Sequence, residues 1–311
     1  MSDACSMIGD GDLDAPQQDL DAAVELFATT GVCVFRDMLA LDVVDRLHEA
    51  YARRAQEVDA GLAACGADLD TQFRYNEVIR RRAARYDLRF PASAAALQGE
   101  DEPWMSFVHA ALGENAAECW RGVVDNRPGS TAQGWHRDGQ HLYDHVHLPA
   151  HCLVVFAPLV DVTSEDIGPT QFLPGSHAMH RTHLYTGLSE GVCSKPSCMP
   201  LLPRGAVLCF DYRTIHRGLP NTSDTRRPMF YVVYAKPWFH IDEAEGGFPV
   251  DRPLFASCEQ SNVSVPALRA SAEHSLENCT RIAAAEPPPY RPLMFCRDAG
   301  EKGNLTEKQP S

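Results

Sequence analysis

No run of apolar residues in this 311-residue chain could cross a bilayer. The longest, such as Cys152–Leu159, fall far short of the ~20 residues that a membrane span needs. The N-terminus, Met1-Ser-Asp-Ala-Cys-Ser-Met7, lacks a basic segment followed by an apolar one, so no secretory signal is predicted. The C-terminal Lys308-Gln-Pro-Ser311 is not the S-K-L peroxisomal address. Positive charge is scarce: 28 Lys and Arg stand against 42 Asp and Glu, for a net charge of −14. That balance argues against nucleic acid or a membrane as partner, because both select for basic surface. It leaves room for a small anion held by one local arginine. The C-x-x-C spacing is missing, although there are 11 cysteines. They are scattered from Cys5 to Cys296, and Cys33, Cys152 and Cys209 sit inside apolar, strand-like runs. Reduced, buried thiols in a cytoplasmic protein are expected, not a disulfide framework. The Asn-x-Ser/Thr triplets at Asn221, Asn262, Asn278 and Asn304 are read as chance without a signal peptide. No internal repeat is found.

The chain is 44% hydrophobic and long enough to bury a large core. Residues 1–17, rich in Asp, Gly and Gln, are expected to be a flexible N-terminus. Leu20, Ala23, Val24 and Phe27 repeat at helical spacing and predict a helix over 18–29 that ends at Gly31. Val32–Phe35 reads as a short strand. Leu41, Val44, Leu47 and Tyr51 predict a second helix over 41–58. Residues 60–100 are ambiguous, with a helix expected over Asn76–Ala84, and Trp104–Leu112 reads as another helix. After residue 116 the pattern changes. Short strand-like runs, Cys119–Val124, Cys152–Val160, Gln171–Leu173, Ala206–Phe210 and Met229–Ala235, alternate with Pro- and Gly-containing turns. Many short strands so spaced predict an all-β sandwich or barrel. The expected layout is one domain over 18–285, with a helical layer over 18–116 and a β core over 117–240. A polar tail over 286–311 follows.

The sharpest local feature is Gln133-Gly-Trp-His136-Arg-Asp138 at the end of a predicted strand. In extended chain, positions i and i+2 face the same way, so His136 and Asp138 can present a nitrogen and a carboxylate oxygen to one point. A further histidine, His216, follows the run Ala206–Thr214. Two histidines and one carboxylate make the facial triad that holds non-haem Fe(II) and leaves coordination positions open. An H-x-D pair alone is weak evidence. Its company here includes Arg226-Arg227, which opens the strand Pro228–Tyr234 ten and eleven residues after His216. A guanidinium at that place can grip a carboxylate bidentately.

Taken together, His136-Arg-Asp138, the string Gly168-Pro-Thr170-Gln-Phe-Leu-Pro-Gly175-Ser-His177, His216-Arg-Gly218 and Arg227 resemble the phytanoyl-CoA dioxygenase family over about residues 20–240. The Gln three residues before the first His and the T-x-F-x-P-G-S-H string are similar to those of fungal secondary-metabolite dioxygenases in that family. The resemblance implies a mainly β chain whose core is a double-stranded β-helix (a cupin-like jelly-roll). It implies Fe(II), 2-oxoglutarate and dioxygen as cofactor and cosubstrates. By the same resemblance His136, Asp138 and His216 bind iron, and Arg227 pairs with the distal carboxylate of 2-oxoglutarate. Gln133 and Thr170 assist the cosubstrate. Arg226 is the rival for the carboxylate; it and Arg227 lie on opposite strand faces, so only one can point inward. Some relatives carry a hydroxyl residue where this chain has Gly218, and that contact is absent here. Halogenating relatives have a small residue in place of Asp138, so the carboxylate argues for hydroxylation, desaturation or a related oxidation. The implied activity is oxidation of a C–H bond in a small organic metabolite, with release of succinate and CO2, by a monomer or homodimer.

Rival readings attach to the same residues. A non-catalytic metal- or ligand-binding barrel would use the same pocket, and a peptide or protein hydroxylase would need a groove for its substrate. His141, His145 and His147 could form a zinc site if that stretch were helical, although Pro149 argues for a loop. His177 reads as a turn histidine with a structural hydrogen bond. Cys193 and Cys198 read as free thiols, and Trp135, Tyr143, Phe210 and Trp238 as core aromatics more readily than pocket walls. Arg80-Arg-Arg82 with Arg85 reads as a solvated helix face that could also meet an anionic substrate.

Overall fold

A computed structural model describes residues 10–16, 18–65, 73–75, 78–89, 97, 102–139, 141–143, 146–179 and 197–239. The predicted tail over 286–311, the irregular stretch after Asp242, His145 and Cys193 lie outside the described residues. The elements run α1 (Leu20–Thr30), β1 (Val32–Phe35), α2 (Leu41–Cys65), β2 (Phe73–Tyr75), β3 (Val78–Arg82), β4 (Arg85–Arg89), α3 (Met105–Leu112), β5 (Ala117–Asn126), β6 (Cys152–Pro158), β7 (Thr170–Phe172), β8 (Val207–Asp211), β9 (His216–Gly218) and β10 (Arg227–Ala235). The fold is mainly β and antiparallel. Eight strands form the major sheet in the order β1-β8-β6-β10-β5-β4-β3-β2, and β7 pairs with β9 in a minor one.

Period-two alternation gives the major sheet two different faces. Tyr86, Leu88, Val123, Val155, Cys209, Phe230, Val232 and Tyr234 share one buried cluster with Phe27 of α1, Leu47 and Tyr51 of α2, and Phe107 of α3. The intervening residues, Val34, Val154, Phe210, Met229, Tyr231 and Val233, belong to a second cluster with Phe172 of the minor sheet. Helices thus cover one face, and the minor sheet lies over the other. Phe172 and His216, opposite each other in the minor sheet, both pack on Phe210 of β8.

Local chemistry sets the ends of α1. The Asp19 carboxylate accepts the Ala22 N–H, capping an otherwise orphaned donor. Gly31 closes the helix with φ 74° and its N–H on the Phe27 carbonyl. Of the expected flexible N-terminus, residues 10–13 form a single 3-10 turn, Leu13 is buried, and the Ala15 N–H bonds the Val34 carbonyl.

Of the stretch read as helix over Asn76–Ala84, residues 78–84 are instead strand and turn. β3 pairs with β4 across a turn at Ala83-Ala84, where Ala84 has φ 53°. The run Arg85-Tyr-Asp-Leu-Arg89 alternates polar and apolar residues, the mark of a half-buried strand. Its apolar residues Tyr86 and Leu88 join the helix-side core. The stretch 18–116 therefore holds β1–β4 as well as three helices. Among the described residues Cys33, Cys152, Cys198 and Cys209 are buried free thiols and Cys119 is a half-buried one. Cys33 and Cys209 face each other across β1 and β8, and burial pushes the Cys33 thiol well up.

Candidate metal centre and cosubstrate pocket

The segment 133–138 is not a regular strand; it is fastened to β9 and the loop before it by main-chain bonds. Gln133 N–H bonds Gly218 O at 2.9 Å, His136 and His216 exchange N–H···O bonds of 3.0 and 2.9 Å, and Asp138 N–H bonds Tyr212 O at 3.1 Å. This clamp, not strand alternation alone, sets His136 and Asp138 beside His216. The Nε2 atoms of His136 and His216 lie 3.8 and 3.7 Å from the two carboxylate oxygens of Asp138. The ring centroids are 4.4 Å apart.

Both imidazoles are oriented alike. His136 Nδ1 is 2.9 Å from Gly134 O, and His216 Nδ1 is 3.0 Å from Thr214 O. A carbonyl can only accept, so each Nδ1 donates, which leaves Nε2 as the atom of each ring that can bind a metal. One ligand atom from each of the three residues lies within 4.8 Å of the others, the single such group among the described residues. Donors about 2.1 Å from a shared ion at right angles stand about 3 Å apart, so a small contraction would close the set. No group built on His141 and His147 occurs there; their rings stand 6.3 Å apart.

The two candidate arginines go to opposite faces of the sheet. Arg226 turns to the helix side, where its Nη2 is 2.6 Å from the Asp59 carboxylate of α2 and its Nη1 is 3.7 Å from Asp125. Arg227 turns to the minor-sheet side and is 1% exposed. Its Nε and Nη2 donate to the Gly168 carbonyl at 3.1 and 2.7 Å. Burial lowers its pKa to about 10, with only partial relief from Asp125. A guanidinium so placed is a cation lacking a close carboxylate among the described residues. Gln133 is half-buried, and its Oε1 accepts the Gly218 N–H at 3.0 Å. Thr170 is half-buried opposite Gly218 in the minor sheet.

Several residues differ from the sequence reading. Arg85 is on no helix: it is 1% exposed on β4, with its Nη2 donating to Leu219 O at 2.8 Å and Thr131 O at 3.3 Å. Asn126, between Arg85 and Arg227 in register, bonds the Gly168 and Leu219 carbonyls. Sequence reasoning offers Arg85 only within a basic cluster that could meet an anionic substrate and misses Asn126; the alternation on β4 is the signal that separates Arg85 from its neighbours. Trp238 and Tyr143 are 57% and 63% exposed, so neither is a core aromatic. Trp135 lies under the Arg217 guanidinium at 4.4 Å. His177 has the expected structural bond, from Nε2 to Ala28 O at 3.0 Å.

The chain is similar to several known proteins. A curated relative, Dioxygenase hkm4 of Aspergillus hancockii, is 29% identical over 196 residues, or 60% of this chain and 57% of the relative. The chain thus matches little more than half the length of that protein. Among solved structures, AviO1 of Streptomyces viridochromogenes Tue57 has a TM-score of 0.55 at 20% identity, over 72% of this chain and 97% of that one. HygX of Streptomyces hygroscopicus, crystallised with nickel, 2-oxoglutarate and hygromycin B, has a TM-score of 0.50 at 13% identity, over 70% and 87%. The family model described as phytanoyl-CoA dioxygenase (PhyH) matches residues 27–229, from α1 into β10. That span holds every residue of the pocket just described, and the chain belongs to the phytanoyl-CoA dioxygenase family.

Proposed function

We propose that the protein is an Fe(II)- and 2-oxoglutarate-dependent dioxygenase that oxidises a C–H bond of a small organic metabolite. The observation that carries this reading is the pair of imidazoles whose Nδ1 atoms are held on carbonyls while their Nε2 atoms face Asp138. The donor set of two imidazoles and one carboxylate suits Fe(II) and leaves positions for a bidentate 2-oxo acid and dioxygen. When bound, those groups supply oxidative decarboxylation to succinate and CO2 coupled to oxidation of the substrate.

The chain's own residues bind, orient and shield. His136, Asp138 and His216 hold the metal. Arg227 pairs with the distal carboxylate of 2-oxoglutarate, while Arg226 is occupied by Asp59 on the other face. Gln133 and Thr170 flank the cosubstrate from the segment beside β9 and from β7. Phe172 and Phe210 wall His216 at ring separations of 5.7 and 4.9 Å and keep water from that side. Trp120, Val124 and Phe156 are partly exposed on the same sheet face, an apolar wall suited to an organic substrate. We read the two facing sheets as the double-stranded β-helix common in such oxygenases.

The test is anaerobic. Protein with Fe(II) and 2-oxoglutarate should develop a weak visible charge-transfer band, and His136→Ala should lose it. A wild-type protein that takes up Fe(II) but gives no band with 2-oxoglutarate would overturn the reading in favour of a metal-binding barrel.

A further inference from the structure

The segment that carries His136 and Asp138 departs from regular pairing just before the first ligand. The N–H groups of Gln133 and His136 land on Gly218 O and His216 O, so a step of three residues is matched to a step of two. One residue is therefore extra, and the segment bulges at Gly134-Trp135. The bulge supplies the Gly134 carbonyl that lies 2.9 Å from His136 Nδ1. A Cβ built on Gly134 would meet nothing within 4 Å among the described residues, and glycine leaves the backbone free to turn that carbonyl elsewhere. The rest of the fold grips the bulge by its other residue, Trp135.

Trp135 lies on the outer face of the minor sheet. It packs on Leu173 and Ile215, which alternate along the chain with Phe172 and His216 of the inner face. The Arg217 guanidinium covers its ring, with Cζ 4.4 Å from the centroid. Arg217 is half-buried on β9, between His216 and Gly218. Its Nε donates to Gln171 Oε1 at 2.8 Å, and Gln171 Nε2 donates to Ser197 Oγ at 2.9 Å. Gln171 stands directly opposite Arg217 in the register of β7 and β9. A strap, Trp135–Arg217–Gln171, thus crosses the back of three neighbouring segments. One residue along, the row on the inner side is His136–His216–Phe172. A guanidinium suits this place because it can stack on an indole and donate in its own plane at once.

We propose that Arg217 is a positioning residue for the metal centre. By pinning Trp135 it fixes the bulge, and the bulge holds the His136 ring with its Nδ1 proton on the Gly134 carbonyl and its Nε2 toward the metal. This rests on the proposed function above for the identity of the metal. His216 has a separate support. Its carbonyl partner, Thr214, is tied to Asp211 O through its N–H and to Gly31 O through its hydroxyl. Arg217 therefore serves one histidine of the pair and not the other.

The test begins with metal-free protein and proton–nitrogen correlation NMR of the histidine rings at about pH 8, above the ordinary histidine pKa. Wild type should show His136 and His216 each as a single neutral tautomer with the proton on Nδ1. Arg217→Ala should leave His216 as it is and give His136 a mixture of both tautomers. Trp135→Leu should do the same, and the double variant should do no more than either alone, because both remove one contact. Arg217→Lys and Trp135→Phe, which keep a cation over a ring, should hold most of the wild-type signal. Co(II), a spectroscopic stand-in for Fe(II), is then titrated into each protein. Its affinity should fall about 10-fold in Arg217→Ala, the low end of what losing a ligand-orienting contact costs. A change that merely loosened the fold would shift both histidines together. That outcome, or a His136 tautomer unchanged in Arg217→Ala, would defeat the assignment. A wild type with both rings ordered but no charge-transfer band with Fe(II) and 2-oxoglutarate would defeat the proposed function and leave the role of Arg217 standing.

Discussion

Arg226 and Arg227 are adjacent in sequence and 180° apart in role. The alternation of a strand puts one on the helix side and the other over the pocket. Arg227→Leu should weaken 2-oxoglutarate about 100-fold or more, because it removes a buried bidentate donor and leaves the anion's charge uncompensated. Arg226→Leu should leave that affinity unchanged and cost no more than about 1 kcal/mol of stability, since its pair with Asp59 is half-exposed and the buried Asp125 keeps Arg127 at 2.7 Å. Titration of the band and urea unfolding would separate the two; equal loss of affinity in both would contradict the assignment. Two other side chains set a pH limit. Burial is the main cause that lowers His141 and His151 to about 4. Around His141, Arg137, Arg213 and His147 lower it further and Asp211 opposes; around His151, Arg213 and Lys236 lower it and Asp211 opposes. A base whose folded pKa lies below its unfolded value of about 6.5 favours the fold while neutral. That stability is present above pH 6.5 and is lost as pH falls toward 4. His151→Phe, filling the same space against Phe239, should flatten the fall in melting temperature between pH 7 and pH 5. An unchanged slope would count against it.

At the scale of elements, the clearest hinge between fold and site is the α1–β1 corner. Gly31 has φ 74°, and a Cβ there would lie 2.4 Å from His177 Nδ1 and 2.6 Å from Thr214 Oγ1. Thr214 in turn donates to Gly31 O at 2.9 Å and offers its own carbonyl to His216 Nδ1. Gly31→Ala should cost roughly 1–3 kcal/mol from backbone strain and overpacking. It should also weaken Fe(II) binding, because the displaced loop carries the His216 orientation. Calorimetric melting with a metal titration checks both; a destabilised variant with unchanged metal affinity would separate the corner from the site. Elements were readable from sequence where apolar spacing was strong. α1 ends at the Gly31 that was predicted, because Leu20, Val24 and Phe27 and a left-handed glycine all agree. α2 runs on to Cys65 beyond the predicted residue 58, with Val58 still packed in the helix-side core. β3 and β4 were missed because three consecutive arginines mask a β-branched start, and because what makes them strands is pairing with β5, a contact remote in sequence.

For the molecule as a whole, the candidate site was legible as a set of residue types at set spacings. His136, Asp138 and His216 come together in the structure, and Arg227 is buried on the minor-sheet side of the major sheet. What spacing could not convey is the clamp of 133–138 on β9, the carbonyls that fix each imidazole, and the row Arg85–Asn126–Arg227, all of which depend on strand register. The acidic balance of the whole chain likewise says nothing of the two arginines, Arg85 and Arg227, that are buried on the site side of the sheet. The two-sided sheet has a further consequence for how this protein tolerates change. Along β10, Phe230, Val232 and Tyr234 meet the helices, and Arg227, Met229, Tyr231 and Val233 meet the pocket. A saturation scan of this one strand should therefore behave as two interleaved libraries. Replacements at even positions should move the melting temperature alone, while those at odd positions, buried in the minor-sheet cluster, should move both melting temperature and ligand affinity. Parity then tells which losses of stability carry a loss of binding with them.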